Sequence, residues 1–169
     1  MTIETNVHRE SRLAKLKALQ DKGYNPYPYR FRPDAFAADL QEKYKELEPG
    51  ADTEDRVTVA GRAMAVRNNG MFIDIKDISG KIQAFCHKNH LSEEDIERLK
   101  CLDVGDMVGI SGYVRRTPRG ELSIAAEKFD IISKSLQPLP EKFHGLTDVD
   151  ARYRQRYVDL IANPEVKET

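Results

Sequence analysis

Residues 56–86 read RVTVAGRAMAVRNNGMFIDIKDISGKIQAFC. Across Met71–Asp77 apolar and polar positions alternate. Ile73 and Ile75 point one way and Phe72, Asp74 and Lys76 the other, the pattern of a half-buried strand. Upstream, Arg56–Arg67 is rich in valine and alanine and ends at Asn68-Asn69-Gly70, residues that tolerate positive φ and so favour a hairpin turn. Downstream, Ser79-Gly80 turns the chain again. Lys81–Cys86 then makes a third strand, with Ile82 and Ala84 facing in and Gln83 and Phe85 facing out.

Beyond this stretch, Ser92 is placed to cap a short helix, with Asp95 in its first turn and Ile96 and Leu99 on its inner face. Met107–Arg116 reads as a fourth strand, Thr117-Pro118-Arg119-Gly120 as a loop, and Glu121–Ile132 as a fifth strand with Leu122 and Ile124 on one face. Strand, strand, strand, helix, strand, strand is the order of the OB fold. That fold is a five-stranded Greek-key barrel whose second and third strands, with the loops joining strands 1–2 and 4–5, commonly bind oligonucleotides. The expected fold class is mainly β with flanking helices: N-terminal helices over 1–55, an OB-fold barrel over 56–132, and a linker and helix over 133–169. In the first part, a helix is expected from Asn6 as cap to Gly23, with Leu13, Leu16 and Leu19 sharing a face with Ala14 and Ala18. Pro26, Pro28 and Pro33 break it. A second helix starts at about Asp34, with Phe36, Leu40, Tyr44 and Leu47 on one side, and Pro49-Gly50 ends it. In the last part, residues 133–145 read as linker. A helix then runs from Thr147 or Asp148 to Ala162, stopped by Asn163-Pro164.

Composition bounds the function. Hydrophobic residues make up 40% and charged residues 33% of 169, which describes a soluble chain with a modest core. No apolar run approaches the roughly 18 residues of a membrane span. The start MTIETNVHRE lacks the apolar region of a secretory signal, so a cytoplasmic location is expected. Cys86 and Cys101 have no metal-ligand spacing, and His8, His87, His90 and His144 lack partners at such a spacing. No metal site is expected, and the histidines read as surface or linker residues. No P-loop, G-x-S-x-G or H-E-x-x-H is present, so no residue of this chain is assigned a catalytic role. The net charge of −1 hides an uneven distribution. Residues 56–132 hold 12 basic and 11 acidic residues, but six of the acids (Glu93, Glu94, Asp95, Glu97, Asp103, Asp106) sit in the segment between the third and fourth strands. The rest of the barrel is locally positive, and a phosphate backbone responds to the local field.

Pleating points to one surface. With the isoleucines inside, Phe72, Gln83 and Glu121 face out together. A ring to stack on, an amide and a carboxylate are what an unpaired base requires. Arg62, Arg67, Arg115, Arg116 and Arg119 are placed around this face to meet phosphates.

GELSI at 120–124, PLPEKFHGL at 138–146 and ARYRQRYVDLI at 151–161, in this order around five strands, resemble the bacterial class II lysyl-tRNA synthetase family. The first helix and its NPYP exit are similar more loosely. Aspartyl- and asparaginyl-tRNA synthetases share the barrel, but HGL-x-D before RYRQRY resembles the lysyl branch. The resemblance implies that Phe72, Gln83 and Glu121 hold the central anticodon uridine of tRNA(Lys). It places Arg62, in the G-R pair of the first strand, and Arg67 on the anticodon side. The strand 1–2 loop is shorter here than is usual in the family. The resemblance further implies a homodimer, with Tyr153 and Tyr157 as interface candidates. The whole enzyme would use ATP and Mg²⁺ in a catalytic core that follows this segment. The segment itself is expected to bind no cofactor, no membrane and no DNA, and not to catalyse. The alternative is a stand-alone OB module that binds single-stranded nucleic acid or a protein.

Overall fold

The computed structural model describes residues 3–139 and 149–162. In chain order it contains α1 (Ile3–Asp21), α2 (Ala37–Lys43), β1 (Asp52–Arg67), β2 (Phe72–Lys76), β3 (Lys81–Phe85), α3 (Glu93–Lys100), β4 (Met107–Arg116), β5 (Leu122–Ser133), α4 (Val149–Arg154) and α5 (Arg156–Ala162). His144, Thr147, Asp148 and Asn163-Pro164 lie outside the described residues.

The strands close into a barrel in the order β1-β2-β3-β5-β4, all antiparallel except β3 with β5. β1 closes it because it is long enough to pair twice. Its first part pairs with β4 and its last residues pair with β2, the switch falling at Gly61–Arg62. Only glycine fits there, since a Cβ on Gly61 would lie 2.6 Å from both Ile75 Cγ2 and Lys76 O. The turn to β2 takes Asn68, Asn69 and Gly70 through positive φ. The core is built from the alternating inward set, including Val59, Ile73, Ile75, Ile82, Val108, Ile110, Val114, Leu122, Ile124, Phe129 and Ile131.

β3 is too short to cover all of β5, and two flanking elements finish the exposed edge. The Asp95 carboxylate of α3 accepts from Phe129 N at 3.2 Å, and Arg98 donates to Phe129 O at 3.0 Å. Two residues on, the Tyr24 hydroxyl accepts from Ile131 N at 3.0 Å and donates to Ile131 O at 2.9 Å. Burial pushes the Tyr24 phenol up to about 12, which keeps its proton available. Asp95 also completes the capping box with Ser92 that the sequence predicts. Sequence periodicity does not mark it as a buried residue.

The helices differ from expectation for tertiary reasons. α1 begins upstream of Asn6, and Gly23 ends it at φ +76 as expected. Ala14 and Ala18 face solvent, while Arg12 takes a buried place. The Arg12 guanidinium reaches Ser135 O at 2.7 Å and Val104 O at 3.0 Å. α2 starts at Ala37, not Asp34. Its first amides are capped from the β2–β3 turn, Ala37 N by Asp77 Oδ2 (2.7 Å) and Ala38 N by Ser79 Oγ (3.0 Å). Phe36 is left 44% exposed. The single C-terminal helix expected is two, broken at Gln155. Fully buried Asp159 bridges the break, accepting from Arg152 Nε and Arg156 Nη1 at 2.9 Å each.

The first residues of the expected linker are pinned. Lys134 is buried, and its ammonium meets three acceptors: Asp106 Oδ2 (2.6 Å), Asp103 Oδ2 (2.7 Å) and Cys101 O (2.7 Å). Lys15 of α1 reaches the other oxygen of Asp103 at 2.6 Å. This network ties α1, the α3–β4 loop and the end of β5 together.

Two outcomes are expected. Lys134→Met leaves the buried Asp106 carboxylate without its cation and lowers unfolding free energy by about 3–5 kcal/mol, read from urea denaturation. The second concerns acid. Burial raises the Asp95 pKa, but the bonds from Ser92, Arg98 and Phe129 outweigh it and hold the group below its usual value. Its stabilising contribution is therefore complete above the unfolded carboxylate pKa of about 3.9 and is lost as pH falls below it. Urea midpoints taken from neutral pH to pH 3 should fall more steeply for the wild type than for Asp95→Asn. Parallel curves would remove Asp95 as the acid-sensitive group.

Candidate nucleic-acid interface

Strand alternation puts Phe72 and Asp74 of β2 and Gln83 and Phe85 of β3 on the outer face of the barrel. The β3–β5 register sets Gln83 opposite Ser123. That pairing carries the β4–β5 loop, with Arg119 and Glu121, to the same place. The result is a cleft of about 940 Å³ whose lining includes Phe72, Gln83, Phe85, Arg115, Arg119 and Glu121.

The floor is aromatic. The Phe72 and Phe85 rings lie 5.2 Å apart at 36°, and the Arg115 guanidinium sits 5.4 Å from the Phe85 centroid. Arg115 Nε is 3.1 Å from Asp52 Oδ1 without the alignment of a hydrogen bond. The Gln83 amide is fixed by Ser123, whose hydroxyl donates to Oε1 at 2.9 Å. Glu121 is exposed, and its backbone is held by Thr117. Glu121 N donates to Thr117 Oγ1 at 3.0 Å, and Thr117 N donates to Glu121 O at 2.8 Å. Its carboxylate makes no hydrogen bond to another described residue. The cleft therefore offers a ring face, a positioned amide and an available carboxylate within one wall.

The five arginines divide. Arg67, Arg115 and Arg119 line the cleft. Arg67 is already clamped by Asp74 through two bonds of 2.8 and 2.6 Å, and that pairing raises its pKa. Arg116 turns away and donates to Gly120 O and Tyr44 O, both at 2.7 Å, bracing the β4–β5 loop against the end of α2. Arg62 lies at the far end of the β1–β2 ladder. It donates to Gly105 O at 2.8 Å and lines a smaller cleft with Ile78, Leu160 and Ile161. Neither Arg62 nor Arg116 joins Phe72.

Lys81, Asp74 and Asn68 also line the site. Lys81 and Asp74 lie two residues from Gln83 and Phe72, so period-two reading was sufficient to find them. Tyr153 and Tyr157 are far more open, at 79% and 65% exposure. Burial pushes the Cys86 thiol up to about 12 and raises that of half-buried Cys101. Among the described residues no three His, Cys, Asp or Glu side chains converge as a metal site, and no helix is long and apolar enough to cross a membrane.

Residues 57–132 match the model of the tRNA anti-codon family, an OB-fold nucleic acid binding domain. The chain is 49% identical over 158 residues to the lysine–tRNA ligase of Sinorhizobium medicae, covering 94% of this chain and 32% of that protein. The lysine–tRNA ligase of Rhizobium etli gives the same identity and coverage. The chloroplastic/mitochondrial lysine–tRNA ligase of Arabidopsis thaliana is 49% identical over 164 residues, covering 94% of this chain and 27% of that protein. The chain thus spans about a third or less of the length of these curated relatives. Residues 57–132 therefore form an OB-fold nucleic acid binding domain of the tRNA anti-codon family, and the chain is homologous to part of the lysine–tRNA ligases.

Proposed function

We propose that this chain is the anticodon-binding part of a class II lysine–tRNA ligase and that its cleft reads the central uridine of the tRNA(Lys) anticodon. The observation that carries this is the meeting of Phe72, Gln83 and Glu121 in one cleft with arginines at its edge. A splayed base stacks on Phe72, and its Watson–Crick edge meets the amide and the carboxylate. Uracil presents an N3–H between two carbonyl oxygens. The Glu121 carboxylate accepts from N3–H, and the Gln83 amide NH₂ donates to a carbonyl. Cytosine presents a bare N3 lone pair at the same place, which a carboxylate repels. Arg115 and Arg119 position the backbone without reading sequence.

In this reading the ligase activity, with ATP and Mg²⁺, belongs to the rest of the parent enzyme. The parent enzyme works in the cytoplasm as a homodimer, and exposed Tyr153 and Tyr157 contact the partner copy. In the full-length ligase, Tyr153→Ser with Tyr157→Ser should shift sedimentation from dimer toward monomer. An undisturbed dimer would rule out this interface.

For the cleft, Phe72→Ala should weaken binding of a lysine anticodon stem-loop by roughly 1–3 kcal/mol, the scale of one base–aromatic stack. Replacing the central uridine by cytidine should cost about tenfold, near 1.4 kcal/mol. Both titrations are run at two salt concentrations, because the phosphate contribution falls with salt and the base contribution does not. Equal binding of the two loops would leave a sequence-tolerant OB module as the description.

A further inference from the structure

A line of rings leaves the cleft and continues across the barrel. Phe72 meets Phe85, and Phe85 meets His87 at 5.8 Å. His87 meets His90 at 5.8 Å and 63°, and His90 meets Tyr113 at 6.5 Å and 78°. Two elements supply the rings beyond Phe85: the turn after β3 gives the histidines, and β4 gives Tyr113. The local chain explains their placement. Cys86 is buried, so Phe85 and His87 emerge on the same outer side as Gln83. The turn is closed by His90 N donating to His87 O at 3.0 Å and Asn89 N donating to His87 Nδ1 at 3.3 Å. Tyr113 precedes Arg115 by two residues and so shares its outward face.

These rings are not needed by the core, which is complete inside the barrel. The His87–His90 and His90–Tyr113 pairs meet edge to face, so they do not cover one another's faces as a parallel stack would. His90 is exposed, and His87 and Tyr113 are only partly covered. The line starts at the ring assigned to a base, and Arg115 lies over Phe85 at the join. A cation at that point suits the phosphate between two successive nucleotides.

We propose that His87, His90 and Tyr113 form a second stacking site, which takes the nucleobase adjacent in the single strand to the one held on Phe72. The proposal rests on the anticodon-loop reading of the cleft and extends it. Stacking accepts any base, since each has a π-face. This site therefore adds affinity and sets the direction of the strand, while discrimination stays with Gln83 and Glu121.

The test compares three hairpin RNAs with uridine-rich anticodon loops: one intact, one abasic on the 5′ side of the central uridine, and one abasic on the 3′ side. His87→Ala with His90→Ala should weaken the intact loop about fivefold or more and be nearly silent on one of the two abasic loops. His90→Tyr, which keeps a ring there, should bind the intact loop at least as well as the wild type. Loss of the same factor on both abasic loops, or no loss on the intact loop, overturns the second site. Phe72→Ala run alongside separates the two ideas. If it weakens binding and the histidine pair does not, only the second site falls. If Phe72→Ala changes nothing, the base cleft falls and takes the second site with it. Circular dichroism confirms that each variant keeps the barrel.

Discussion

The short parallel pairing of β3 with β5 is the constraint on which the rest depends. Three residues, Gln83 to Phe85, register against Ser123 to Ala125. Parallel neighbours need a long crossover, supplied here by α3, β4 and their loops. The crossover brings the β4–β5 loop, with Arg119 and Glu121, beside Phe72 and Gln83. Without this pairing the barrel is an open sheet, and the amide and carboxylate sit on unrelated surfaces. The pairing is also short, which leaves an edge of β5 to be finished by Asp95, Arg98 and Tyr24. The flanking helices therefore complete the barrel's hydrogen bonding as well as covering it.

Charge is organised in the same economical way. The chain is nearly neutral overall, yet its acids and bases do different work by position. Asp103 and Asp106 face inward onto Lys134, and Asp103 also anchors α1 through Lys15. Such a buried cluster stabilises only because each ammonium proton has an acceptor. The arginines split between bracing and display. Arg62 and Arg116 donate to backbone carbonyls, whereas Arg119 remains open at the cleft. Arg67 is intermediate: Asp74 aims it, at the cost of part of its field.

The aromatic path shows how one strand serves two environments. Cys86 and Ala84 fill the interior while Phe85, His87 and Gln83 face the solvent side. The period of two that builds the core therefore also spaces a series of rings outside it. A platform of this kind suits a flexible single strand, because stacking tolerates small shifts that edge hydrogen bonds do not.

Much of this was legible in the sequence. Alternation in Met71–Asp77, the Asn-Asn-Gly turn, the capping box at Ser92 and the limits of β4 are local properties of a few residues, and local stereochemistry decides them. Phe72 and Gln83 follow from the same alternation, whereas Glu121, expected to open the fifth strand, lies just before β5 and is set by its loop bonds to Thr117. Other features depend on residues far apart in the chain. The start of α2 is set by Asp77 and Ser79 some 40 residues on. The burial of Arg12 is set by carbonyls of the α3–β4 loop and of the segment after β5. The separation of Arg62 and Arg116 from the other arginines follows from the change of partner along β1 at Gly61–Arg62 and from the carbonyls of Gly105, Gly120 and Tyr44 that hold the two guanidiniums. The sequence by itself determined which side chains face out of β2 and β3, because the backbone period requires it. Only the tertiary structure decided which of them meet, because barrel closure and long-range hydrogen bonds select among outward residues that look alike in sequence.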